Sequence, residues 1–100
     1  MLNGIKVDVK WSDKALESLR EIGDQKKQDK IKKKVDNDLS RDPYKGEPLS
    51  GSFKGLRSFH VLGNRVRVAY QLIEEKIKIV LIVKVGWREG FYQRLKRGFR

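Results

Sequence analysis

The run Lys76–Gly86, KIKIVLIVKVG, constrains the fold more than any other part of the chain. Read with a period of two, Ile77, Ile79, Leu81, Val83 and Val85 form one face. Lys76, Lys78 and Lys84 share the other with Val80 and Ile82. A strand that is apolar on both sides has to be covered on both sides, so this segment predicts a central strand of a sheet. It is too short for a membrane span. Just ahead of it, alternation is clean: Val66, Val68, Tyr70 and Leu72 face one side, and Arg65, Arg67, Ala69 and Gln71 the other. Gly63-Asn64 supplies a tight turn before this strand, and Leu56–Leu62 supplies its partner.

The first half predicts a strand followed by a helical hairpin. Ile5–Trp11 alternates apolar and charged residues. Ser12 can cap a helix whose Ala15, Leu16, Leu19 and Ile22 share a face before Gly23. Asp24 can cap a second helix, in which Ile31, Val35 and Leu39 recur every four residues. Lys26, Lys27, Lys30, Lys32, Lys33 and Lys34 then form its wet outer face, and Asp42-Pro43 ends it. Residues 43–55 hold both prolines and several glycines and predict a loop. The expected fold is α+β, ordered β-α-α-β-β-β, with a mainly antiparallel sheet. The helical hairpin packs on one face, the other stays partly open, and a short helical or irregular segment closes the chain. One hundred residues fit one domain spanning 1–100.

Charge narrows the function. The formal net charge is +11, and it is unevenly spread. Residues 1–51 hold twelve Lys and Arg against ten Asp and Glu; residues 52–100 hold twelve against three. Arginine is concentrated in the second half, and its planar fork can grip a phosphate through two parallel hydrogen bonds. Such a surface points to a polyanion, most simply nucleic acid. With the last two strands paired through a turn at Glu74-Glu75, Arg67 and Lys84 come close on the open face, and Arg88 lies just past the strand end. By the same parity Val85 and Trp87 turn inward.

Other chemistries find little support. There is no cysteine and one histidine, so disulfides and thiolate or multi-histidine metal sites are not expected, and no cofactor is called for. The N-terminal residues lack the basic-then-apolar layout of a signal peptide, and the expectation is a cytoplasmic protein without membrane partners.

Three stretches carry a family resemblance. Lys54-Gly55-Leu56-Arg57 ends the loop, Arg67-Val68-Ala69-Tyr70 lies in the hairpin, and Val85-Gly86-Trp87-Arg88-Glu89 precedes Tyr92. In that order, after a β-α-α start, the chain resembles the RelE/ParE superfamily of toxin–antitoxin toxins, its RelE-like branch above all. The detailed match covers about the last half. The hairpin is one residue longer between Gly63 and Arg67 than the usual pattern, so Arg65 competes with Arg67 for the family arginine. Trp87 stands where many members have histidine, and Ser58 and His60 stand where several have lysines.

The resemblance implies a toxin neutralised by a cognate antitoxin, acting on mRNA at the ribosome, in a complex able to bind its own operator DNA. The alternatives are a ParE-like inhibitor of DNA gyrase and a non-catalytic RNA- or ribosome-binding module. Metal-independent RNA cleavage uses the RNA's own 2′-hydroxyl as nucleophile. It needs a base for that proton, cations for the charge developing on phosphorus, and an acid for the leaving 5′-oxygen. Arg67 and Arg88 are the candidates for charge, and His60 and Tyr92 for proton transfer. Lys54, Arg57, Arg65, Lys84, Arg94 and Arg97 are the candidates for holding nucleic acid. Packing competes with chemistry at His60 and Tyr92, and with base stacking at Trp87.

Overall fold

A computed structural model describes residues 7–98; Ile5 and Lys6 of the expected first strand lie outside them. Strand β1 (Val7–Trp11) leads into helices α1 (Asp13–Arg20) and α2 (Gln25–Arg41). The two-residue strand β2 (Glu47–Pro48) and a single 3₁₀ turn (Gly51–Phe53) follow. Strands β3 (Leu56–Val61), β4 (Val66–Glu74) and β5 (Lys78–Trp87) then lead to helix α3 (Phe91–Gly98). The sheet runs β1-β5-β4-β3-β2, with β1 parallel to β5 and the other pairs antiparallel. The stretch expected to be wholly loop thus contributes a short edge strand, and the C-terminal segment is a helix.

Local chemistry sets the helix ends. The Ser12 hydroxyl accepts from the Ala15 amide at 3.0 Å. The Asp24 carboxylate accepts from the amides of Lys26 and Lys27 at 2.9 and 3.2 Å. These contacts satisfy amides that the first helical turn leaves without partners. Between the helices Gly23 takes a φ of +89°, open to glycine without strain. Along α2, Ile31, Val35 and Leu39 are buried, while Lys32 and Lys34 pair with Asp36 and Asp38 one turn on. Part of the lysine-rich face is thereby neutralised by its own helix.

The main core lies between the helical hairpin and one sheet face. It joins Ala15, Leu19, Ile31, Val35 and Leu39 to Phe59, Val61, Val66, Val68, Tyr70, Val80, Ile82 and Val85. Fully burying each such aliphatic side chain is worth roughly 1.5–3 kcal/mol. A second, smaller cluster on the opposite face packs Phe91 and Leu95 of α3 onto Leu56 and Ala69.

One expectation is corrected here. The faces of β5 do not follow a single period of two. Ala69 pairs with Lys84 but Tyr70 pairs with Ile82, so Val83 is an unpaired bulge residue. The extra residue reverses side-chain direction partway along the strand. Val80 and Ile82, expected on the open face, join the main core, whereas Val83 packs against the α3 cluster. Beyond the bulge, Val85 points inward and Lys84 and Gly86 outward, as expected. Trp87 pairs with Val66 and shares its parity, yet remains 39% exposed.

The bulge coincides with the end of β1, whose last partner in β5 is Ile82. From there α1 takes over the edge of β5: the buried Val85 amide donates to the Ser18 hydroxyl at 2.9 Å, and that hydroxyl donates to the Ala15 carbonyl at 2.8 Å. A helix side chain thus satisfies the backbone group that a longer β1 would have taken.

Candidate nucleic-acid interface

The register places the functional side chains in rows across the face opposite the helical hairpin. Glu47, Ser58, Ala69 and Lys84 form one row. His60, Arg67 and Gly86 form the next. Just past the strand ends, the Arg88 amide donates to the Arg65 carbonyl at 2.8 Å and brings those two residues together. Helix α3 overhangs this face. Phe91 and Arg94 press against Gly86, where an added Cβ would sit 3.2 Å from both side chains. The Tyr92 hydroxyl donates to Ser58 Oγ at 3.2 Å. Ser58 precedes His60 by two residues on the same face, roughly 7 Å along the strand.

Arg67 is held by the turn before its strand. Its guanidinium donates to the Asn64 carbonyl at 2.8 Å and to Asn64 Oδ1 at 2.9 Å. Asn64 can offer both acceptors because the turn is sharply left-handed, with φ of +50° at Leu62, +61° at Gly63 and +73° at Asn64. For leucine that conformation is strained. Backbone geometry that is unfavourable by itself therefore aims the arginine beside the histidine.

His60 has its imidazole pKa lowered, first by desolvation and then by the Arg67 cation; the Glu47 carboxylate and a hydrogen bond donated to Asn64 oppose the shift. The ring is thus biased toward the neutral form, able to accept a proton. Glu47 did not stand out in the sequence, because it lies in a stretch without periodicity. Only its pairing with Ser58 brings it onto the face of His60. The signal available was small: an acidic residue in the loop that precedes a basic half.

The remaining candidates divide. Lys84 shares the face of Arg67, one row away. Lys54 and Arg97 are exposed, on the 3₁₀-turn loop and on α3. Arg94 donates to the carbonyls of Glu89 and Trp87 at 2.9 and 2.8 Å and so fixes the bend between β5 and α3. Arg57 pairs with Tyr70 and therefore lies on the helical-hairpin side, away from His60. There its guanidinium donates to the carbonyls of Gly46 and Tyr44 at 3.0 and 3.1 Å. Tyr70 anchors the same loop from within: its buried hydroxyl accepts from the Gly46 amide at 3.0 Å and donates to the Pro43 carbonyl at 2.8 Å.

Among the described residues every ion pair involves a lysine. The arginines in the hydrogen-bond network, Arg57, Arg65, Arg67 and Arg94, use backbone carbonyls or an asparagine instead. Such partners orient a guanidinium without cancelling its charge. Among the same residues, no group of three or more His, Asp or Glu is placed to hold a metal ion, and no helix is long and apolar enough to cross a membrane.

Fold and surface together define a small basic α+β protein. The sequence model of a family described as the ParE-like toxin of type II bacterial toxin-antitoxin systems matches residues 9–96. The chain belongs to that family, within the RelE/ParE superfamily. No curated protein matches the sequence. Among solved structures, a chain of a RelBE toxin–antitoxin complex from Mycobacterium tuberculosis is similar, with a TM-score of 0.75 and 23% identity over 86% of this chain and 95% of that one. A mutant of the E. coli toxin RelE in the free state gives a TM-score of 0.68 at 22% identity, covering 93% and 98%. E. coli YafQ gives 0.60 at 20%, covering 87% and 99%. These likenesses show the RelE-like fold.

Proposed function

We propose that the chain is a ribosome-dependent mRNA endonuclease of the RelE-like kind, held in check by a cognate antitoxin in the cytoplasm. The observation that carries this reading is the pairing, on one sheet face, of a histidine biased toward its neutral form with an arginine that has no ion pair among the described residues. In an RNA backbone laid across this face, His60 takes the 2′-hydroxyl proton. Arg67 stabilises the extra negative charge on the phosphorus oxygens, with Arg88 adding positive charge from the rim. Tyr92, 38% exposed at the edge of α3, protonates the leaving oxygen or stacks on a base. Glu47 steadies the imidazolium that forms after proton transfer. The 2′-hydroxyl requirement makes RNA the substrate.

An antitoxin partner is supported by the family and by the neighbouring RelBE complexes. The charge of +11 favours an acidic segment on that partner, and operator binding by the joint complex belongs to the same proposal. The test is primer extension on translated mRNA after induction. Wild-type protein should give discrete cleavages that disappear with Arg67→Ala or His60→Ala while antitoxin capture persists. Uncleaved mRNA together with DNA breaks would replace the reading with gyrase inhibition. Uncleaved mRNA without breaks, alongside salt-sensitive RNA binding, would replace it with a non-catalytic module.

A further inference from the structure

At the end of the sheet, beyond the row of His60 and Arg67, Arg65, Trp87, Arg88 and Glu89 line an open groove of about 330 Å³. Trp87 pairs with Val66, whose neighbour Arg67 pairs with Gly86, so the groove lies one register step from the proposed centre. The indole points to the helical-hairpin side but is 39% exposed, a large apolar surface left in contact with water. On either side of it stand arginines brought together by the Arg88–Arg65 backbone hydrogen bond. The Arg65 side chain bonds only to the Leu62 carbonyl, and Arg88 takes part in no ion pair among the described residues.

We propose that the Arg65–Trp87–Arg88 groove is a single-nucleotide subsite at the end of the sheet, in which the indole, on the helical-hairpin side, stacks a nucleobase and the two guanidiniums hold its phosphate. The inference rests on the reading of single-stranded RNA as substrate. An aromatic face beside two arginines that outnumber the single carboxylate of the groove, Glu89, matches a nucleotide in both its parts: every base has a π-face, and every phosphate a charge. Because the base stacks without using its hydrogen-bonding edges, the subsite adds affinity with little sequence preference.

The chain has two tryptophans, so Trp11→Phe leaves Trp87 as the sole indole reporter. Titrating that variant with short single-stranded RNA in the absence of ribosomes should quench Trp87 emission. By anisotropy of labelled RNA, Trp87→Ala should weaken binding about tenfold or more, and Trp87→Phe should retain most of the affinity. Replacing Arg65 and Arg88 together by glutamine should lower the slope of log affinity against log salt by about 0.7, the share of one phosphate. Circular dichroism confirms that each variant is folded. Unchanged emission with unchanged RNA affinity in Trp87→Ala overturns the proposal. So does a Trp87→Ala protein that keeps RNA affinity but loses antitoxin capture, since the groove would then be a protein contact. If RNA binds as expected but mRNA on ribosomes stays intact, the nuclease reading fails and the subsite stands.

Discussion

At the scale of single residues, the chain has one histidine, which makes its titration unambiguous by NMR. The His60 midpoint should fall below the ordinary 6.5. Arg67→Ala should move it upward by removing a cation, and Glu47→Gln should move it further down by removing the opposing carboxylate. A midpoint above 6.5 in the wild type would refute the assigned environment. The sign for stability follows. The unfolded chain binds the proton more readily, so this group's contribution is complete above the unfolded pKa and is lost as pH falls through the folded one. Catalysis should show an acidic limb in the same window. Arg67→Ala should lower the cleavage rate about 100- to 1,000-fold, as removal of an oriented charge stabiliser does, with thermal unfolding little changed. Arg67→Lys should rescue only weakly, because a compact ammonium lacks the planar fork that grips two phosphate oxygens at once.

At the scale of elements, the loop 43–46 is held by Tyr70 from below and Arg57 from the side. Tyr70→Phe should destabilise the protein by about 1–3 kcal/mol in chemical denaturation, because a buried amide and carbonyl lose their partner. Gly46→Ala should cost at least as much, since the new methyl would stand 2.7 Å from the Tyr70 hydroxyl and 2.8 Å from the Ser58 carbonyl. Ser18→Ala should cost about 1–3 kcal/mol by orphaning the Val85 amide, and that amide should exchange with solvent faster. A null result in exchange would mean another group covers the edge.

These same elements mark what sequence reading could reach. Helix caps, the α2 stripe and the β4 faces were legible because each depends on residues near one another in the chain. The β5 faces were not, because the bulge at Val83 is set by pairing with β4 and no turn residue announces it. Arg67 and His60 could be picked from type and parity. Glu47 could not, and Arg57 was expected with the nucleic-acid group although pairing with Tyr70 puts it on the other side.

At the scale of the whole molecule, positive charge is divided by chemistry. In the first half Lys27, Lys32, Lys34 and Lys45 pair with neighbouring aspartates, and arginines of the second half are steered by carbonyls. RNA binding should accordingly be steeply salt-dependent, and substituting Lys27, Lys32 and Lys34 should change that dependence less than substituting Arg65, Arg67 and Arg88. Equal slopes for the two sets would show that only net charge matters. The unpaired Val83 has a consequence for how the gene tolerates damage. Losing that one codon in frame would straighten β5 yet leave Ile82 opposite Tyr70 and Lys84 opposite Ala69, so Val85, Gly86 and Trp87 would keep their faces. What would be lost is the apolar contact that Val83 makes with the α3 cluster. A missing residue at this point should therefore be milder than the same loss elsewhere in β5, where every later side chain would change sides.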